Sequence, residues 1–226
     1  MKEHFIIALD GHSSTGKSSL AKKIAKTFSI LHIDSGALYR GVALYLYKMG
    51  QIQLLGEEKL KDVLPKIKLE FVRNGNQSLL YLNDEVAEKE IRSLQISQLV
   101  SNVAKDENIR DYLLDIQREF AKGNSVIMDG RDIGTVVFPQ ADLKIFLTAS
   151  AEIRAERRHK EMLETGEEVS FQEVLDNVNQ RDYADTHREI SPLKKADDAI
   201  ELDNSLLSEE QTFQEVVKLL QQKGLI

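Results

Sequence analysis

The sequence predicts an α/β fold, a parallel sheet flanked by helices with a small antiparallel insertion, on three observations. First, short runs rich in Ile, Leu and Val at 5–9, 126–128, 143–147 and 198–202 alternate with segments of helical period, such as 18–28 and 151–163. Strands that alternate with helices build parallel sheets, because each crossover must carry the chain back to the same end. Second, that rhythm breaks at KIKLEFVRNGNQSLLYLNDEVAE, residues 66–88, which reads as two alternating strands around an Asn74-Gly75 turn and a short third strand near 85–87. Third, LDGHSSTGKSSLAKKIAK, residues 9–26, puts an apolar strand directly before a run of small polar residues and then a lysine-rich amphipathic helix. Segments 93–104 and 108–121 also have helical period, with Asp106 placed to cap the second. The final helix, 209–223, stops at Gly224.

Composition narrows the function. Of 226 residues, 42 % are hydrophobic and 30 % charged with both signs interspersed, enough for a packed core and too mixed for wholesale disorder. A net charge of −7 argues against a nucleic-acid polymer as partner. The absence of cysteine removes disulfides, thiolate nucleophiles and cysteine zinc sites together, and suits a reducing cytosol. The opening MKEHFIIALDGHSS has an apolar run too short for a signal peptide, and no stretch reaches membrane-spanning length, so a soluble, cytoplasmic chain with no membrane partner is expected. No long apolar stripe is left over, which makes a monomer the expectation. The five histidines show no zinc-ligand spacing.

Residues 11–18 read G-H-S-S-T-G-K-S, the phosphate-loop spacing, with the strand before and the helix after that the motif requires. Gly11, His12, Ser13, Ser14, Thr15 and Gly16 let consecutive backbone N–H groups converge on phosphate oxygens, and the helix N-terminus adds partial positive charge. Lys17 reaches the β and γ phosphates, and Ser18 or Ser19 offers a hydroxyl to Mg²⁺. The loop is shaped for a nucleoside triphosphate such as ATP. Ser13 and Ser14 have no base beside them in this pattern and read as small loop positions, not nucleophiles.

Three further segments carry arginines on separate elements. HIDSGALYRG, 32–41, follows a short strand and places Arg40 on the next helix; VIMDGRDIGTVVFPQADLKIFL, 126–147, sets Asp129 at the end of an apolar strand and then Arg131 and Asp132. NQRDYADTHR, 179–188, puts Arg181, Asp185 and Arg188 at i, i+4 and i+7, on one helical face. Alone, such a triad is an ordinary ion-paired surface. Asp129, closing a parallel strand, is where such sheets present ligands, and fits a carboxylate near Mg²⁺. Arg154, Arg157 and Arg158 alternate with Glu152, Glu156 and Glu161, which reads equally as a solvated ion-pair face or as a functional one. Tyr39, Tyr45 and Tyr47 read as packing residues.

These segments, in this order behind this loop, resemble the bacterial cytidylate kinase family of nucleoside monophosphate kinases over essentially the whole chain. The resemblance implies a phosphate-loop kinase fold in one domain, 1–226, with a core of about 1–40, 105–150 and 190–226. The same resemblance makes about 41–104 the monophosphate-binding region, with its insertion near 66–88, and about 151–189 a helical lid and following helix. It implies ATP and Mg²⁺ as donor and cofactor, CMP or dCMP as acceptor, and a substrate site of Ser35, Arg40, Ser101, Arg110, Arg131, Asp132, Arg181, Asp185 and Arg188. One lid arginine, Arg158 in this reading, joins Lys17, Arg40, Arg131 and Arg181 in handling the transferring phosphate. Arg110 only donates and Asp132 only accepts, a pair complementary to cytosine and mismatched at two atoms of uracil. Asp185 is implied on the sugar hydroxyls. Other acceptors, such as UMP, AMP or a small metabolite, and a nucleotide switch with no acceptor, are the competing readings.

Overall fold

The structure, a computed structural model, describes residues 4–74, 77–164, 166 and 168–226. In chain order the elements are β1 (Ile6–Gly11), α1 (Lys17–Phe28), β2 (Leu31–Asp34), α2 (Ser35–Lys48), β3 (Leu69–Asn74), β4 (Gln77–Leu82) and β5 (Glu85–Val86). There follow α3 (Leu94–Val103), α4 (Glu107–Phe120), β6 (Val126–Gly130), a π-helical turn (Ile133–Val137) and β7 (Leu143–Thr148). The chain closes with α5 (Ala151–Glu164), α6 (Phe171–His187), β8 (Ile200–Asp203) and α7 (Glu209–Gln222). Five parallel strands form one sheet in the order β2-β6-β1-β7-β8. Three antiparallel strands form a second in the order β3-β4-β5. The expected α/β architecture with an antiparallel patch is therefore present. The Asn74-Gly75 turn falls partly on Gly75, which lies outside the described residues.

The chain divides into two compact units, one running to Leu31 and resuming at Asn124, the other His32–Gly123. In the first, β1 is buried along nearly its whole length between β6 and β7, as a central parallel strand covered on both faces must be. Ile7, Leu9, Ile127, Ile145 and Leu147 form one core with the apolar faces of α1 (Leu20, Ile24) and α7 (Phe213, Val216, Leu220). A Ser208/Gln211 capping box starts α7, and a Ser170/Glu173 box starts α6. The α5–α6 pair has only a small core of its own around Ala155, Val174 and Val178.

In the second unit α2 is buried on most of its circumference and shares a core with Leu69, Leu80, Leu82, Ile91, Ile96, Ile109 and Leu113. Asp106 caps α4 as expected, accepting from Ile109 N at 3.2 Å with one oxygen and from Gly56 N at 2.7 Å with the other. Gly41 is what lets α2 lie down on the antiparallel sheet. A Cβ there would stand 2.6 Å from Leu69 Cδ2 and 3.1 Å from Leu80 Cδ2, and both leucines are themselves buried. Gly41→Val should therefore lower stability by about 1–3 kcal/mol through overpacking. A urea midpoint equal to that of the wild type would show that the helix does not depend on this close approach.

Candidate active site

The phosphate loop begins where β1 runs out. Gly11 has φ +150°, and a Cβ on it would fall 2.1 Å from Leu147 O in the neighbouring strand, so no side chain fits. Thr15, fully buried, closes the loop on itself by donating to His12 O at 3.0 Å. Gly16, at φ +86°, turns the chain into α1. Lys17 is the first residue of that helix; its amine donates to His12 O and, at 3.2 Å, to Thr15 Oγ1. Burial first, and then the neighbouring charge of Arg131, push Lys17 well below the usual lysine range, while Asp129, Asp10 and Asp185 oppose the shift. Ser18 Oγ donates to Asp129 Oδ2 at 2.6 Å, whereas Ser19 is exposed at a cleft.

That cleft, of about 220 Å³, is lined by Thr15, Gly16, Ser19, Arg157, Asn204 and Leu207, among others. Asn204, just past the end of β8, binds Thr15 O with Nδ2 at 2.9 Å and takes Arg157 on Oδ1 and O at 3.1 and 2.8 Å. Sequence reading passed over Asn204, although it stands at the C-terminal end of a parallel strand, where such sheets hold ligands.

A second cluster in the same unit gathers the arginines. Arg131 Nε donates to Asp185 Oδ2 at 2.7 Å. Burial raises Asp185, but the charge and hydrogen bond of Arg131, with Arg181 and Arg188 behind it, more than offset this and hold its carboxyl below the usual range. Arg188 departs from expectation. It does not share a helical face with Arg181 and Asp185, because α6 ends at His187 and Arg188 is extended. Its Nε donates to Ser191 O at 2.6 Å, where Ser191 turns at positive φ just before Pro192, and its Nη2 lies 3.6 Å from Asp132 Oδ1. Leaving the helix is what carries Arg188 to Asp132.

The α5 arginines separate by role, and the solvated-face reading fails for Arg154. Arg154 is buried, with both terminal nitrogens on Asp182 at 2.9 and 2.5 Å, Nε on Ala149 O at 2.9 Å and a further contact to Ser13 O at 3.3 Å. Asp182 also lies 3.2 Å from His12 Nδ1, so it ties the phosphate loop to α5 and α6. Arg158 is half-buried on α5. The sequence contained no signal for Asp182 beyond its place in RDYAD, since its partners are 28 and 170 residues away.

The second unit holds the remaining positions. Asp34 caps α2, accepting from Ala37 N at 3.0 Å, and takes Arg40 Nη2 at 3.2 Å on its other oxygen. Arg92, which sequence reading did not single out, brings Nη2 to 3.7 Å from that same oxygen. Arg40 Nε is buried with no hydrogen-bond partner among the described residues. Ser35 is buried at the start of α2 and Ser101 exposed on α3. Arg110 is buried, donates to Ala104 O at 3.2 Å and holds its guanidinium over Tyr39 at 5.6 Å. The motif HIDSGALYRG begins inside β2 and does not follow it.

Asp182→Asn should cost about 3 kcal/mol at neutral pH, because Arg154 is left buried without its opposing charge. Burial alone would raise Asp182, but its bonds to His12 and Arg154 hold it below the ordinary range. Its stabilisation is therefore full above the unfolded value, about 3.9, and is lost only as pH falls through the lower folded one. Urea midpoints of wild type and variant should differ at pH 7 and converge only in strong acid. Equal midpoints at pH 7 would contradict the assignment.

Comparison with known proteins matches this geometry to a family. The cytidylate kinase family model matches residues 7–222. A cytidylate kinase of Flavobacterium johnsoniae is 50 % identical over 218 residues, 95 % of each chain, and one of Bacillus cereus is 41 % identical over 220 residues, 97 % of each. A solved structure titled as an uncharacterized protein from Eubacterium ventriosum aligns over 98 % of this chain and 99 % of its own, with TM-score 0.52 at 14 % identity, a likeness of fold alone. Matched by the family model over residues 7–222 and by curated relatives at 50 % and 41 % identity along nearly its full length, the chain belongs to the cytidylate kinase family.

Proposed function

We propose that this chain transfers the γ-phosphoryl group of ATP to the phosphate of CMP or dCMP, giving ADP and CDP or dCDP. The observation that supports this most directly is electrostatic. Arg131, in the second cluster, is close enough to depress the pKa of Lys17 in the phosphate loop. Two basic side chains this close call for anions, which a phosphoryl donor and a phosphate acceptor supply.

The triphosphate lies along the loop N–H groups from Gly11 to Ser19 with Lys17 on its β and γ oxygens, and the nucleoside enters the cleft at Arg157 and Asn204. Ser18 and Asp129 fit Mg²⁺: a hydroxyl and a carboxylate at 2.6 Å, placed at the end of the loop. Among the described residues no group of three or more His, Cys, Asp or Glu is placed to hold a metal; Mg²⁺ commonly takes one or two protein ligands with waters and substrate phosphates. When bound, it would neutralise charge on the β and γ oxygens.

By the resemblance, Arg131 and Arg181 of the first unit are assigned to the acceptor phosphate, with Arg188 beside Asp132, and Arg40 is the phosphate arginine of the second unit. On the same basis, Asp132 and Asp185 of the first unit meet the base and the sugar hydroxyls, and Ser35, Ser101 and Arg110 are the substrate residues of the second. The acceptor's second pKa is about 6, so it arrives ionised at neutral pH and needs no general base. Alignment and charge neutralisation carry the rate. With Arg154 committed to Asp182 and Arg157 to Asn204, Arg158 is the α5 arginine assigned to the transferring group.

ADP formation from ATP and Mg²⁺, with CMP, dCMP, UMP, AMP and GMP offered singly, tests the reading. Turnover should be high with CMP and dCMP, weak with UMP, and reduced at least about a hundredfold in Lys17→Ala. Equal ADP formation without any acceptor would mean a nucleotide hydrolase or switch instead.

A further inference from the structure

Asp10, one residue before the phosphate loop, is a buried carboxylate to which the chemistry above assigns no substrate contact. Its Oδ1 accepts from Ile133 N at 2.8 Å and its Oδ2 from Gly134 N at 2.7 Å. These are the first two N–H groups of the π-helical turn Ile133–Val137, which have no partner within the turn itself. The residue chemically suited to cap that turn is its own N-cap, Asp132, since aspartate is among the preferred capping residues. Yet Asp132 makes no side-chain cap here, and its carboxylate points instead toward Arg188.

We propose that Asp10 is a positioning residue that caps the turn in place of Asp132, so that the Asp132 carboxylate is presented to the acceptor base in register with the phosphate loop. The proposal deepens the cytidylate kinase reading and rests on it. Three further observations support it. The turn is pressed between two side chains: a Cβ on Gly134 would lie 3.3 Å from Asp10 Oδ2 and 3.1 Å from Lys144 Cδ. Lys144 is fixed in turn, donating to Pro139 O and Asp198 Oδ1 at 2.7 Å each. Keeping Asp10 ionised there is unfavourable, since burial, with Asp132 adding, pushes it up to about 6 against the opposing Gly134 and Ile133 N–H groups and Lys17. A carboxylate held at that cost in a place where a local cap was available points to a role in the geometry of Asp132.

Asp10→Asn keeps the shape but offers one acceptor oxygen where two N–H groups need partners. Asp132 then competes for the cap and is drawn from the base. The expected result is a KM for CMP raised about tenfold or more and weaker discrimination against UMP, with the KM for ATP within about twofold of wild type. The decisive comparison is with Asp132→Asn and the double variant. If Asp10 acts through Asp132, the double variant binds CMP no worse than Asp132→Asn alone. Additive losses, an unchanged KM for CMP in Asp10→Asn, or equal rises in both KM values would each overturn the proposal. Should Asp10→Asn fail to fold, Gly134→Ala, which pushes the same N–H off Asp10, is read by the same measurements. A wild type that turns over CMP while Asp10→Asn matches it rejects the role of Asp10 alone; a wild type inactive on CMP rejects the functional reading.

Discussion

Lys17 is a buried amine that desolvation first, and then the nearby charge of Arg131, push well below the usual lysine range, so keeping it charged depends on opposing charge close by. Asp129, Asp10 and Asp185 supply that charge, one each from the ends of β6 and β1 and from α6. None of them forms a direct bond to the Lys17 amine, which rests on neutral oxygens of the loop. Asp185 pairs directly with Arg131, while the Lys17 amine rests on the loop. A polyphosphate entering this field meets donors already oriented, which is how preorganised electrostatics lowers the barrier to phosphoryl transfer.

The remainder of the first unit keeps these charges in register. Gly11 passes so close to Leu147 O that the loop can leave the sheet along one path only. Asp182 and Asn204 then fasten the loop from outside, one through Arg154 and His12, the other through Thr15 and Arg157. By contrast α5 and α6 share a small core of three buried residues and are held to the loop mostly by such polar contacts.

The fold was legible because its signals are local. The loop spacing, the alternation of apolar runs with helical segments, the Asp106 cap and the stop at Gly224 each depend on residues within a few positions. The candidate site was legible only in part, for the opposite reason. Motifs pointed to Lys17, Asp129, Arg131 and the α6 arginines, but the side chains that orient them bond across 28 to 189 residues of sequence. Asp10, Asp182 and Asn204 carry no motif of their own. Arg188 was misplaced because helical period was extended one residue past His187, where α6 ends and the backbone turns extended. The π-helical turn at 133–137 was not foreseen either, since Val136 and Val137 favour strands and its cap lies 123 residues upstream.

The most direct measurement follows the phosphorus itself. With γ-³²P-labelled ATP, Mg²⁺ and CMP, the label should appear in CDP in step with ADP, and inorganic phosphate should stay near the level seen without enzyme. Label released as inorganic phosphate at the same rate with or without CMP would contradict the account, because the arginine cluster around Asp185 would then not be holding an acceptor in line with the loop.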